Sequence, residues 1–139
     1  RIGWAFGAEG LIDTLNKIRG PFNVTASGQK AAIAALGDKD FVLKSRIANT
    51  NGLARFTAEM AALSNHGVRI IPSAANFALV LFEGQVSAET VYHALMDGGY
   101  ITRHLPNQGL AHGLRITIGT PEQMADVTAI IRNTLEGAA

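Results

Sequence analysis

The stretch Leu114-Arg115-Ile116-Thr117-Ile118-Gly119-Thr120-Pro121-Glu122-Gln123 combines a strand pattern with a helix start. Alternating apolar residues over 114–118 predict a β-strand with one face toward a core. Thr120 is a suitable N-cap, Pro121 fits the first helical position, and Gln123 completes a capping box. A strand that leads directly into a helix predicts an α/β fold.

The segments on either side extend this α/β pattern over residues 67–139. Further strands are predicted at 68–71, 77–82 and 100–103. A helix that begins after Ser87 is predicted to end before Gly98-Gly99. We therefore expect two helices on one face of a small sheet.

The first half of the sequence is predicted to be helical. Apolar spacing and glycine or proline punctuation predict helices over 8–18 and 26–36. A longer helix is predicted from Asp38 to about residue 65, with a kink or break at the polar and glycine positions 49–52. A helix of this length is typical of a connection between two domains.

The first six residues show a strand pattern, because Ile2, Trp4 and Phe6 alternate with small residues. A strand at this position has nothing before it that could pair with it or cover it. The sequence also lacks an initiator methionine and has no signal-peptide pattern. We expect that a preceding segment is missing.

Composition excludes several classes of function. Hydrophobic residues make up 47% and charged residues 17%, which is typical of a globular chain. A net charge of +1 gives no argument for nucleic acid or an anionic membrane. No apolar run reaches the roughly 18 residues that span a bilayer. Without cysteine there is no disulfide and no thiol chemistry, so a soluble cytoplasmic protein is the default expectation.

Most motif searches favour ordinary structural roles. The four histidines form no metal-binding spacing, and only His93 has carboxylates at helical spacing, Glu89 and Asp97. That arrangement is equally typical of a solvated helix face. No phosphate-binding glycine loop and no serine nucleophile motif is present.

Two arginines are the candidate binding residues. If Leu114 and Ile116 face the core, Arg115 faces the other side of its strand, toward either solvent or a binding cleft. A planar guanidinium in a cleft holds a carboxylate through two parallel hydrogen bonds. Arg103 ends the neighbouring predicted strand, and the same two alternatives apply to it.

Four segments of the chain together form a recognisable set of motifs. They are Arg1-Ile2-Gly3-Trp4, Pro-Phe-Asn-Val from Pro21, Pro-Ser-x-x-Asn-Phe from Pro72, and Leu-Arg-Ile-Thr-Ile-Gly-Thr from Leu114. In order and spacing, over essentially the whole chain, they resemble the histidinol-phosphate aminotransferases among the fold-type I aminotransferases. The first segment is similar to the one that follows the cofactor lysine in those enzymes.

The resemblance implies a fold, a reaction and residue roles. It implies the end of a large cofactor-binding domain over 1–36, an interdomain helix over 37–66 and a small C-terminal α/β domain over 67–139. The implied reaction is amino transfer between glutamate and imidazole-acetol phosphate with pyridoxal 5'-phosphate, in a homodimer, within histidine biosynthesis. Arg1 would contact the cofactor phosphate, Arg115 would bind the substrate α-carboxylate, and Arg103 would lie near the substrate phosphate.

The resemblance also implies what this chain lacks. In the family, the lysine that forms the Schiff base precedes the arginine matched by Arg1. The lysines of this chain do not lie in that motif; they are Lys17, Lys30, Lys39 and Lys44. We therefore expect no catalytic residue in this chain, and no aminotransferase activity from its 139 residues alone.

Two alternatives stay open at this point. The first is another enzyme of the superfamily, an aromatic aminotransferase or a decarboxylase of a phosphorylated amino acid, in which Arg115 would have the same role. The second is a non-catalytic α/β module for binding or oligomerisation. The lack of a self-contained catalytic set favours the second, while the unpaired strand predicted at 2–6 argues against it.

Overall fold

A computed structural model describes residues 2–137. Arg1, the predicted contact of the cofactor phosphate, lies outside the described residues. The chain divides into two compact units, Arg1–Lys44 and Ser45–Ala139. The division lies inside a helix, and the predicted domain limits at 36 and 66 stay a prediction.

The first unit consists of α1 (Glu9–Ile18), α2 (Ala26–Gly37) and the start of α3 (Lys39–Ala61). Thr25 begins α2, since its hydroxyl accepts a hydrogen bond from Gly28 N at 3.1 Å. No side chain in residues 2–44 is buried. Both predicted helices of this unit are confirmed to within about one residue.

The strand predicted at the start of the chain was wrong for the residues that the structure describes. Residues 2–8 have no regular secondary structure, and the side chains of Trp4 and Phe6 are 89% and 94% exposed. The four strands of the described residues pair only with one another. Period-two alternation does not make a strand without a partner for its backbone.

Helix α3 is continuous where a kink or break was predicted. Two contacts within unit 2 account for Asn49 and Gly52, while Asn51, the third residue that suggested a break, is exposed. The Asn49 amide donates a hydrogen bond to Ala75 O instead of competing for its own helix backbone. At Gly52, a Cβ would lie 2.7 Å from Ile118 Cγ2, so close packing requires the glycine. The helix ends at Ala61, and a 3₁₀ turn, Ser64–His66, leads into the sheet.

The second unit contains a four-stranded antiparallel sheet in the order β1-β2-β4-β3. Its elements are β1 (Val68–Ile71), β2 (Phe77–Phe82), α4 (Ala88–Asp97), β3 (Arg103–Leu105), β4 (Leu110–Thr117) and α5 (Pro121–Glu136). The limits predicted for β1 and β2 are confirmed, and the α/β fold class with them. The caps of the helices are also confirmed: Ser87 caps α4, and Thr120 with Gln123 forms the capping box of α5.

The prediction for the third strand was wrong in position. β3 begins at Arg103, where the predicted strand over 100–103 was to end. Tyr100 instead completes the end of α4, because its N–H donates to Leu95 O at 2.8 Å after Gly99 turns the chain at φ +86°. Its hydroxyl donates to Asp126 on α5 at 2.6 Å. Strand β4 begins four residues before the predicted start at 114.

One face of the sheet carries the core. The buried side chains of α4, α5 and the second half of α3 pack there against alternate residues of the strands, as predicted for the two helices. The sheet contributes Val68, Ala78, Val80, Phe82, Leu114 and Ile116. The helices contribute Phe56, Met60, Val91, Leu95, Met124, Val127, Ile131 and Leu135 among others. This arrangement leaves the odd-numbered positions of β2 and β4 on the opposite face.

Among residues 2–137, no helix is both long enough and apolar enough to cross a membrane.

Candidate functional site

The candidate site lies on the sheet face opposite the core, which we call the open face. Arg115 lies on this face, since its strand neighbours Leu114 and Ile116 both belong to the core. From the alternation of its strand alone, Arg115 could face either solvent or a cleft. Its side chain is half-buried, although no helix of the described residues places its buried side chains on this face.

Arg103 and Arg115 are direct cross-strand partners. The register of β3 and β4 pairs these two residues, and a bulge follows between His104 and Leu105. Side chains opposite each other in an antiparallel pair have Cβ atoms about 5 Å apart. The structure therefore brings together the two arginines that sequence analysis singled out separately.

Neither guanidinium has an ion-pair partner within the described residues. The acidic groups near the sheet are engaged elsewhere: Glu83 forms two hydrogen bonds with Arg69, at 2.8 and 3.1 Å. These bonds lower the pKa of the Glu83 carboxyl. Two like charges side by side are unfavourable by themselves, whereas an anion between or beside them would be held by several N–H donors. The geometry thus favours binding of an anionic group on the open face.

Phe77 supports Arg115 from the neighbouring strand. The Arg115 Cζ atom lies 5.0 Å from the centroid of the Phe77 ring. A guanidinium over an aromatic face keeps its edge N–H groups available, because the contact uses the flat side of the cation. This contact was missed by sequence analysis. Leu79 of β2 lies directly opposite Arg115 of β4. This register places Phe77, two residues before Leu79, diagonally next to Arg115.

His93 and His104 make contacts that do not involve the arginine pair. His104 bonds Ala111 O through its Nε2 at 2.6 Å, and the exposed His93 contacts the Tyr92 ring edge-on. Within residues 2–137, no group of three or more histidine and acidic side chains is placed to hold a metal ion. The four lysines are exposed on α1, α2 and α3: Lys17, Lys30, Lys39 and Lys44.

A second polar group joins two helices on the core side. The Thr128 hydroxyl, 7% exposed, donates to Glu59 Oε2 at 2.7 Å, and Arg55 Nε donates to Glu59 Oε1 at 2.8 Å. Burial acts to raise the pKa of the Glu59 carboxyl, but these two hydrogen bonds and the charges of Arg55 and Arg132 together lower it. The group stabilises the packing of α5 on α3. It lies on the core side of the sheet, whereas the arginine pair lies on the open face.

Comparison with known proteins identifies the family. The family model Aminotransferase class I and II matches residues 1–131. A histidinol-phosphate aminotransferase of Erythrobacter litoralis is 59% identical over 138 residues, which cover 99% of this chain and 38% of that protein. One of Sphingopyxis alaskensis is 56% identical over 137 residues, covering 99% of this chain and 37% of that protein. The chain thus spans less than two-fifths of the length of these relatives.

Solved structures agree on the fold. The histidinol-phosphate aminotransferase of Sinorhizobium meliloti, solved in complex with pyridoxal-5'-phosphate, is 27% identical with a TM-score of 0.73, over 94% of this chain and 35% of that one. The histidinol-phosphate aminotransferase of Clostridium acetobutylicum is similar in fold alone, at 21% identity and a TM-score of 0.79, over 93% of this chain and 39% of that one. From the family match and these relatives, the chain belongs to the class I and II aminotransferase family.

Proposed function

We propose that this chain is the C-terminal part of a histidinol-phosphate transaminase and supplies the arginines that hold the anionic ends of its substrates. The observation that carries the proposal is the direct pairing of Arg103 with Arg115 on the open face, without a carboxylate partner in the described residues. The relatives at 59% and 56% identity, both named histidinol-phosphate aminotransferases, support the choice of substrate.

Each arginine has a separate part in this proposal. Arg115, half-buried and supported by Phe77, would hold the α-carboxylate of both amino-acid substrates through two parallel hydrogen bonds. Arg103, more exposed at the edge strand β3, would hold the phosphate that only one substrate carries. Fixing the substrate at both ends orients its α-carbon for proton transfer.

The chain offers arginines for the substrate but no lysine for the Schiff base. Its lysines are exposed on α1, α2 and α3, and none lies in the family's Schiff-base motif. Arg1 would contact the cofactor phosphate. When pyridoxal 5'-phosphate is bound in the full-length protein, its ring would take up the electron pair left at the substrate α-carbon.

The proposal also includes the homodimer that the resemblance implies, a cytoplasmic location, and the domain limits at 36 and 66.

Separate substitutions of the two arginines test the proposal in the full-length protein that contains this chain. Arg115→Ala should raise KM for glutamate and for histidinol phosphate alike, by about 100-fold, since two parallel charge-assisted hydrogen bonds to the carboxylate are lost. Arg115→Lys should restore only part of the binding, because a point charge does not replace the fork. Arg103→Ala should raise KM for histidinol phosphate and leave KM for glutamate within about twofold.

Arg69→Ala is the matched control, because Arg69 lies on the same sheet but is paired with Glu83. It should leave both KM values unchanged. An Arg115→Ala enzyme with normal KM for both substrates would refute the proposed site. Activity on a panel of aromatic and phosphorylated amino acids tests the proposed substrate. A preference for aromatic amino acids would identify the full-length protein as an aromatic aminotransferase instead.

The isolated chain should have no transaminase activity, because none of its lysines lies in the motif that carries the Schiff base in the family. The measurement is a coupled assay with glutamate, added pyridoxal 5'-phosphate and the 139-residue chain, beside the full-length protein as control. Turnover by the chain at a rate near that of the full-length protein would contradict the prediction.

A further inference from the structure

The loop of residues 72–76, which joins β1 to β2, is held from inside and from α3. Ser73 Oγ donates to Phe77 O at 2.6 Å and accepts from Ala75 N at 3.1 Å, so it closes the loop on itself. Asn49 Nδ2, from the middle of α3, donates to Ala75 O at 3.1 Å across 26 residues of sequence. The loop is therefore fixed to the helix at the carbonyl two residues before Phe77.

The other side of the loop is tied to the strand that carries Arg115. Ile118 N, directly after β4, donates to Asn76 O at 2.9 Å. β2 then begins at Phe77, whose ring lies against the Arg115 guanidinium, 5.0 Å from centroid to Cζ. The position of the ring thus depends on a short loop with its backbone bonded on both sides.

Asn49 has no evident role within its own helix. Asparagine is a weak helix former in a helix interior, because its side chain competes with the backbone. Its Oδ1 atom is buried and has no hydrogen-bond partner in the part of the chain that the structure describes. The bond to Ala75 O is the hydrogen bond that this side chain makes there, and it leads toward the arginine site.

We propose that Asn49 is a positioning residue for the anion site, which holds the loop 72–76 so that the Phe77 ring supports Arg115. The proposal rests on the proposed role of Arg115 in carboxylate binding. It assigns Asn49 an effect on substrate affinity although the side chain bonds the loop and not the open face. It also gives a role to an asparagine that lies in a helix interior, where this residue type is a weak helix former.

The test measures the dissociation constant of 2-oxoglutarate for the full-length protein by calorimetry. Asn49→Ala removes the donor, favours the helix, and should raise the dissociation constant about tenfold. Asn51→Ala is the matched control on the same helix, since Asn51 is exposed and has no hydrogen bond to the loop. It should leave the dissociation constant unchanged.

A double-mutant cycle separates positioning from a general loss of structure. If Asn49 acts through the Phe77 ring, Asn49→Ala and Phe77→Leu together should weaken binding by less than the product of their separate effects. Independent, multiplicative effects would overturn the proposal. Should Asn49→Ala fail to fold, Ser73→Ala loosens the same loop from within and should weaken binding in the same direction; an unchanged dissociation constant would overturn it.

Arg115→Ala in the same titration distinguishes the two levels of the proposal. If Arg115→Ala weakens binding and Asn49→Ala does not, the positioning role is refuted while the arginine site stands. If Arg115→Ala leaves the dissociation constant unchanged, the proposed function of the site fails, and the role of Asn49 in it fails too.

Discussion

At the scale of single residues, the arginine pair opposes the stability of the sheet that carries it. Arg103 and Arg115 face each other across β3 and β4 with no counter-charge in the described residues. Binding sites commonly retain such unfavourable arrangements, because the ligand supplies the missing charge. The repulsion between the two arginines should therefore lower the free energy of unfolding when no ligand is present.

We expect Arg103→Gln to raise the free energy of unfolding in urea by about 0.5 kcal/mol, because it removes like-charge repulsion within a cross-strand pair. The gain should shrink as the salt concentration rises, since the side chains are near solvent. Arg69→Gln is the control, because it removes an arginine that has a carboxylate partner and should give no gain. A destabilised Arg103→Gln protein would show that the pair is not in repulsion.

The hydrogen bond from Thr128 to Glu59 should stabilise the fold to a degree that depends on pH. Thr128→Val removes a buried hydroxyl that donates to the Glu59 carboxylate and should cost about 1–2 kcal/mol at pH 7. The folded state lowers the pKa of Glu59, so this stabilisation is present above the carboxyl's ordinary pKa and is lost as pH falls through the lowered value. The difference between wild type and Thr128→Val should therefore narrow in acid.

The matched control is Thr134→Val on the same helix. Thr134 Oγ1 donates to the uncharged carbonyl of Ile130 at 2.8 Å, so its substitution should have an effect that does not change with pH. Urea unfolding at pH 7 and near pH 3.5 measures both variants. A Thr128→Val difference that stays constant over that range would refute the role of the Glu59 charge.

At the scale of secondary-structure elements, the sequence predicted well wherever local chemistry decides the limits. The Thr120–Pro121–Gln123 start of α5 and the Ser87 cap of α4 are local hydrogen-bond patterns, so residue types alone indicate them. Strand β2 is bounded by Asn76 before it and Glu83-Gly84 after it. Its apolar run is typical of a strand in the middle of a sheet.

The elements that sequence analysis misplaced depend on contacts distant in sequence. Tyr100 and Ile101 are residue types that favour strands. Tyr100 instead donates two hydrogen bonds to helices, from its N–H to the end of α4 and from its hydroxyl to Asp126 of α5. The bulge after His104 sets which side chain of β3 faces Arg115, and no local pattern indicates it. Both arginines were therefore predictable as binding candidates, whereas their direct pairing and the contact of Arg115 with Phe77 were not.

The turn between α3 and β1 makes the sharpest prediction at this scale. Gly67 has φ +76°, and a Cβ on Gly84 would collide with the backbone carbonyl of His66. Gly84→Ala should therefore destabilise the protein by about 2 kcal/mol or more, because two backbone segments must separate. Gly37→Ala is the control, since a Cβ there meets open space at the end of α2 and should be neutral or stabilising.

Thermal unfolding of both variants measures the difference. A Gly84→Ala protein as stable as the wild type would mean that the close approach of the two turns is not required. Gly84 lies two residues after the end of β2, at the opposite end of that strand from Phe77.

At the scale of the whole molecule, the two units differ in what stabilises them. The second unit has a continuous core made by the sheet and three helices, with many side chains fully buried. In the first unit no side chain of residues 2–44 is buried. Its exposed apolar residues include Trp4, Phe6, Leu11, Leu15, Ile18, Phe22, Ile33, Leu36 and Phe41.

This contrast predicts a gradient of hydrogen exchange in the isolated chain. Helices α1 and α2 have 10 and 12 residues, and helices of that length without an apolar surface to pack on are marginal in water. Their amides should exchange within seconds, while those of β2, β4 and α5 should be protected up to the global stability of the second unit. Hydrogen-exchange mass spectrometry on peptides from the two units measures both.

The same experiment on the full-length protein gives the second half of the prediction. Because relatives of this chain are more than twice its length, a longer protein has residues that could cover the apolar side chains of the first unit. The amides of α1 and α2 should then become as protected as those of α5, while protection of β2 and β4 should change little. Equal protection of both units in the isolated chain would contradict this account, because it would mean that the first unit is stable without any buried side chain.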